Sequence, residues 1–155
     1  MVGRMTFSIV AGTGTAYGVA VASKFLAVGS VVPAAVADVG AVATQSFAKV
    51  SYKADALGLL AAGASAPDSI ARITAADPGR ETRQVGVVGR CDAATFTGAE
   101  CMDWAGGVAG GDESAGRYAI QGNILAGPQV VAEMERAWHA AEGMPLARRL
   151  LAALL

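Results

Sequence analysis

Met5-Thr6-Phe7-Ser8-Ile9-Val10-Ala11, followed after Gly12-Thr13-Gly14-Thr15 by Tyr17-Gly18-Val19-Ala20-Val21-Ala22-Ser23-Lys24-Phe25, decides how this chain is read. Both runs are rich in Val, Ile and Phe, and the segment between them offers turn residues, so the pair reads as a β-hairpin. Strand alternation then sends Thr6, Ser8 and Val10 to one face and Phe7, Ile9 and Ala11 to the other. Thr6 heads the first strand directly after a Met. With Met5 removed, one residue would carry both a hydroxyl and a free α-amine, whose unperturbed pKa is about 8, and the amine can serve as base for its own hydroxyl.

Working outward, two more strands are expected near residues 29–37 and 40–46, with Pro33 marking an edge or a break. The period then changes. Ala54, Leu57, Leu60 and Ala61 recur at helical spacing, and Pro67 sits in the first turn of a second apolar run, predicting helices over 52–62 and 66–76. Asp77-Pro78-Gly79-Arg80 is a turn, after which 83–88 and 93–97 read as another hairpin. The segment 106–116 reads as a flexible glycine-rich loop and 118–121 as a strand. Residues 129–141 carry Val130, Val131, Met134, Ala137 and Trp138 on an amphipathic helix. A last helical segment, 145–155, holds more Leu than one narrow stripe needs, which fits either uncovered core or a dimer contact. Strands, helices, strands, helices in this order give an α+β fold of antiparallel sheets with helices outside. The 155 residues fit a single domain, 1–155, without internal repeat.

Composition removes several classes of function. Twelve Lys and Arg against thirteen Asp and Glu leave no basic field to attract nucleic acid or an anionic membrane. The most apolar stretch, 16–42, is interrupted by Ser23, Lys24, Pro33 and Asp38, and falls short of the run of about 20 apolar residues that a membrane span needs. No apolar core of a secretory signal precedes the first turn residues, so the cytoplasm is the expected compartment. Cys91 and Cys101 have neither metal-type spacing nor the pattern of a disulfide framework. With 54% of residues apolar and only 16% charged, part of the surface is expected to be covered by another subunit, that is, a homo-oligomer.

Each chemical candidate has a structural counterpart. Thr6 fits a nucleophile that carries its own base, and fits equally an ordinary β-branched strand residue. Lys24, the first Lys of the chain, can lower an amine's pKa or steady an oxyanion, or simply end a strand with its head in water. Ser23 alternates with it and serves another face. Thr44, Gln45 and Ser46 form a polar end to an apolar strand and suit substrate contacts or a strand terminus. Gln121-Gly122-Asn123, read as the passage from a strand toward a helix, offers an amide and backbone N–H groups for an oxyanion, or plain turn chemistry. Cys101 has no His near it in sequence, and His139 lies on a predicted helix, so a Cys/His pair is not expected. One His and two Cys are too few for a zinc site. Neither glycine-rich segment has the Lys and the strand-to-helix setting of a phosphate loop, and no cofactor or metal is implied.

Six blocks taken together go further: 5–11, 18–25, Gly40-Ala41-Val42-Ala43-Thr44-Gln45-Ser46, Arg83-Gln84-Val85-Gly86-Val87-Val88, Thr97-Gly98-Ala99-Glu100-Cys101 and Gln121-Gly122-Asn123-Ile124-Leu125-Ala126-Gly127. In this order they resemble the bacterial domain-of-unknown-function 1028 family, which is grouped with the N-terminal nucleophile (Ntn) hydrolases. The resemblance implies a four-layer αββα sandwich of antiparallel sheets and amide-bond hydrolysis, but no particular substrate. Relative to that family, residues 1–5 form an extension, and the chain stops before a further glycine-rich segment and strand. The expectation is an Ntn-type amidohydrolase acting on a small molecule or short peptide derivative, with Thr6 as nucleophile and base, Lys24 as electrostatic modulator, Asn123 as oxyanion donor, and Ser23, Thr44, Gln45, Ser46, Gln121 and Gly122 around the substrate. The alternative is a binding or assembly module of the same fold in which Thr6 stays capped.

Overall fold

The opening hairpin forms with Thr6 opposite Ser23, pairing β1 (Thr6–Thr13) with β2 (Ala16–Ser23), in the computed structural model, which describes residues 5–155. Of the five residues read as an extension, Met1 to Arg4 therefore lie outside the described residues. On its other side β1 pairs with β8 (Gly116–Leu125), Thr6 facing Asn123 and Ser8 facing Gln121, and β7 (Trp104–Asp112) closes the sheet in the order β2-β1-β8-β7. A second antiparallel sheet runs β3 (Pro33–Val36), β4 (Gly40–Ser46), β5 (Arg83–Val88) and β6 (Ala93–Thr97). Pro33 opens an edge strand, where its missing N–H costs no ladder bond.

Alternation divides the apolar residues into three layers. Ile9, Ala11 and Ile120 of the first sheet meet Val131, Met134 and Trp138 of α4 (Gln129–Ala140) and Leu150 of α5 (Leu146–Leu154). Val42, Val85 and Val87 of the second sheet meet Tyr52 and Leu60 of α2 (Ser51–Ala61) and Ile70 and Ile73 of α3 (Ala66–Ala75). Between the sheets lie the small side chains Val10, Ala41, Ala43, Val88 and Ala119. Burying both faces of each sheet supplies the main apolar driving force, and small residues in the middle let the sheets approach closely. The result is the α+β, four-layer sandwich. Among the described residues no helix is long and apolar enough to cross a membrane.

Helix α3 begins as its sequence requires: the Ser65 side chain accepts from the Asp68 N–H at 3.1 Å, and Pro67 lies in the first turn. The turn before β5 is tied by Asp77, which is 4% exposed and takes hydrogen bonds from Tyr52 Oη (2.9 Å), Arg83 Nε (3.1 Å) and the Gly79 N–H (3.1 Å). Burial pushes this carboxyl up, but the three donors outweigh it and hold the pKa at about 2. Arg83 then donates from Nη1 to the Phe47 carbonyl at 2.6 Å, fixing the segment that follows β4.

Three sequence expectations need correction. The strand expected over 29–37 is shorter: Val28–Val31 makes a single helical turn, α1, entered through Ala27 in a left-handed conformation (φ 56°), and only Pro33–Val36 pairs as strand. The β-branched valines there favour a strand locally, and tertiary context overrides them, with Val28 packing on the apolar cluster between the sheets. The glycine-rich segment 106–116 is no loop. Most of it is β7, where glycines are required by rings lying over the backbone: an added Cβ at Gly106 would meet the Trp104 ring at 2.9 Å, and one at Gly110 the Tyr118 hydroxyl at 2.9 Å. Finally, β8 continues to Leu125, so Gln121-Gly122-Asn123 lies inside a strand rather than between strand and helix.

Candidate active site

At the end where β1 begins and β4 and β8 finish, the layer between the sheets opens into a pocket of about 380 Å³. Thr6, Gln45, Ser46 and Asn123 provide its polar surface, and Phe25, Val28, Val31, Val32, Phe47, Ala48, Met102 and Ile124 its apolar walls. Thr6 comes from β1, Asn123 is its ladder partner on β8, and Gln45 arrives from the facing sheet. Ser46 follows with φ 65°, a turn out of the strand that brings Phe47 and Ala48 to the wall.

The proton positions around Thr6 follow from counting. Ser23 Oγ lies 2.8 Å from Thr6 Oγ1, donates to the Met5 carbonyl at 3.1 Å and accepts from the Phe25 N–H at 3.0 Å. A serine hydroxyl has one hydrogen. With that hydrogen on the Met5 carbonyl, the Thr6 hydroxyl is the donor to Ser23.

Behind Thr6 the middle layer changes from apolar to polar. Gln84 Nε2 faces the carbonyls of Gly122 (2.8 Å) and Gly106 (3.2 Å) and Thr97 Oγ1 (2.9 Å). Carbonyls only accept, so the amide of Gln84 has one orientation, and its Oε1 is turned to the Asn123 amide (3.0 Å) and to Gln45 Nε2 (2.8 Å). Each of those side chains must in turn present nitrogen. Gln45 Oε1 is left to accept from Ser8 Oγ at 2.7 Å, and Ser8 Oγ accepts from Gln121 Nε2 at 2.7 Å. Two backbone carbonyls thus set the direction of the whole network, and Asn123 keeps one amide hydrogen beyond the one given to Gln84. Gln45, Gln84, Gln121 and Asn123 are each no more than 2% exposed, so the satisfied network is strong where an unmet group would be costly.

Of the residues singled out from sequence, Thr6, Gln45, Ser46 and Asn123 meet at the pocket, and Ser23 is bonded to Thr6. Gln121 stands behind them in the network. Gly122 faces the helix layer, where an added Cβ would run into Leu125, and contributes its carbonyl to Gln84. Thr44 is fully buried next to Gln45 on the strand, and its hydroxyl has no partner among the described residues. Lys24 is exposed past the end of β2 and does not line the pocket. Cys101 donates to the Arg83 carbonyl, whereas His139 sits against the Tyr118 hydroxyl, so the two do not meet. Among the described residues no three His, Cys, Asp or Glu side chains come close enough to hold a metal ion. Sequence reading missed Ser8, Gln84 and Thr97. Gln84 carried a signal, a polar side chain next to Arg83 at the start of a strand whose remaining residues are Val and Gly.

Two antiparallel sheets face to face, helices on both outer faces and a hydroxyl at the foot of the first strand define an α+β sandwich with a pocket at one end of its middle layer. The family model described as "Family of unknown function (DUF1028)" matches residues 6–155, and the chain belongs to this family. The crystal structure of a protein of the same family from Silicibacter pomeroyi superposes with a TM-score of 0.87 at 33% identity, covering 97% of this chain and 68% of the other. No curated protein matches.

Proposed function

We propose that the protein is an Ntn-type amide hydrolase whose nucleophile is Thr6 when Thr6 is the first residue. The observation that carries the reading is the setting of Thr6: 8% exposed, at the polar end of the pocket, with Ser23 Oγ at 2.8 Å and Asn123 directly across the ladder. The family match also starts at this residue.

The step balances with the chain's own groups. The free α-amine of Thr6 takes the hydroxyl proton, directly or across Ser23, as Oγ1 bonds to the amide carbon. The remaining Asn123 N–H stabilises the developing oxyanion. Collapse breaks the C–N bond, the leaving amine carries away the proton, and water then cleaves the ester to give the acid and restore Thr6. Lys24 stays in water one residue beyond Ser23 and biases the amine's titration only through a screened field. A reducing cytoplasm suits the two free cysteines, Cys91 and Cys101.

A second reading rests on Met5. Its carbonyl accepts from Ser23, and while Met5 is present the Thr6 nitrogen is an amide without basicity, leaving a binding or assembly module. Intact-mass analysis of active protein, paired with Thr6→Ala and Thr6→Ser, separates the two. The hydrolase reading expects a terminus at Thr6, activity kept in part by Ser and abolished by Ala. Turnover by protein that still begins at Met1, or by Thr6→Ala, overturns it.

A further inference from the structure

The pocket also constrains what enters it. Gln45 spends both ends of its amide on Ser8, Gln84 and the Gln121 carbonyl, so the side-chain polar capacity left to a ligand is Thr6, Ser46 and, on Asn123, one amide hydrogen and Oδ1. Among the described residues no charged side chain lines the pocket. In the form that begins at Thr6 the α-amine is the charge-bearing group at the site and must be neutral to act as base; a carboxylate beside it would hold it protonated, and an ammonium group would lose water without gaining a counter-ion, at a cost of several kcal/mol. The mouth is apolar as well: Phe47 and Met102 belong to the lining yet are 56% and 52% exposed. Large apolar side chains held open around a concave site are the ordinary mark of a ligand that covers them. A volume of about 380 Å³ lies near the lower limit of small-molecule sites, which span roughly 300–1,000 Å³.

Resting on the hydrolase reading, we infer that the substrate is a small amide whose buried part is apolar and uncharged, an aromatic or branched aliphatic group, rather than an acid-bearing amide of the glutaramate kind. Thr6 and Asn123 address the amide, and the walls from α1, 47–48 and Met102 hold the rest.

Binding and turnover are measured separately with phenylacetamide and glutaramate as probes, binding by calorimetry on Thr6→Ala and turnover on protein that begins at Thr6. Phenylacetamide is expected to be preferred by about 100-fold in both. Met102→Lys and Phe47→Lys, both at exposed positions, should weaken phenylacetamide about tenfold and improve glutaramate. Equal or inverted preference overturns the inference. So does a dimer that these two substitutions dissociate while neither amide binds, because the apolar mouth would then be covered by a second copy. Selective binding of phenylacetamide without turnover sinks the hydrolase reading and leaves the preference of the pocket standing.

Discussion

Replacing Gln84 by Leu tests the polar half of the middle layer. The substitution keeps the approximate shape and removes every hydrogen bond the amide makes. Thr97 and Gly106 lie in partly buried strands and can turn to other partners, and Gln45 retains the Gln121 carbonyl at 3.3 Å. The Gly122 carbonyl and the Asn123 amide lose their partner inside the layer. At about 1–3 kcal/mol for each buried group left unpaired, the loss is roughly 2–6 kcal/mol, offset by about 1 kcal/mol from the added apolar surface. A net destabilisation of about 3 kcal/mol lowers the melting temperature of a chain of this length by about 6–12 °C. Urea unfolding followed by circular dichroism and by tryptophan fluorescence measures it, with coincident transitions as the check on two-state behaviour. Gln84→Glu is the companion: it points an anion at the Gly106 and Gly122 carbonyls, so its folded-state pKa is raised and its penalty shrinks as pH falls. A loss below about 1 kcal/mol in Gln84→Leu would show that the network contributes nothing beyond its shape, and the reasoning fails.

Asn123→Ala removes the one side-chain amide with an unspent hydrogen among the described pocket residues, and should lower kcat by about 10²–10³ with little change in KM, read from steady-state kinetics on the form beginning at Thr6. Asp77 has a folded pKa of about 2 against an ordinary 3.8, so its contribution is complete above about pH 4–5 and drains away as pH falls toward 2. Asp77→Asn should flatten that part of the stability–pH curve, and an unchanged acid limb in urea titrations would contradict the assignment. Gly86→Ala would drive a Cβ into the Gln121 amide and should cost at least as much stability as Gln84→Leu, measured by the same urea midpoint.

Much of the architecture was legible because it is local. The alternation of β1, the period change at Ala54 and the Pro67 start of α3 are properties of neighbouring residues, and each produced the element expected. Glycines misled at β7, since the same residue that permits a turn also makes room for the Trp104 and Tyr118 rings, and only the cross-strand neighbour distinguishes the two. The site was half visible. Thr6, Gln45 and Asn123 stood out as polar residues at strand ends, but Gln84, which orients two of them, meets Gln45 only through the pairing of β4 with β5 and Asn123 only when the sheets stack. The walls were invisible because they form only on folding: Phe25 and Val31 come from the connection between β2 and β3, Phe47 from the one after β4 and Met102 from the one after β6.

The abrupt change from small apolar side chains to amides between the sheets has a consequence for how the strands find their alignment. A slip of one residue in β1 against β8 would turn Ile9 inward and is opposed by every apolar contact. A slip of two keeps all faces correct, and Val, Ala and Gly are too alike in shape to penalise it strongly. Only the amides discriminate that error, because Ser8, Gln121 and Gln84 meet their partners at a single setting. The polar end of the layer therefore works as a vernier on a coarse apolar scale, and the sheets can settle at full stability only in the alignment that also sets Thr6 beside Asn123.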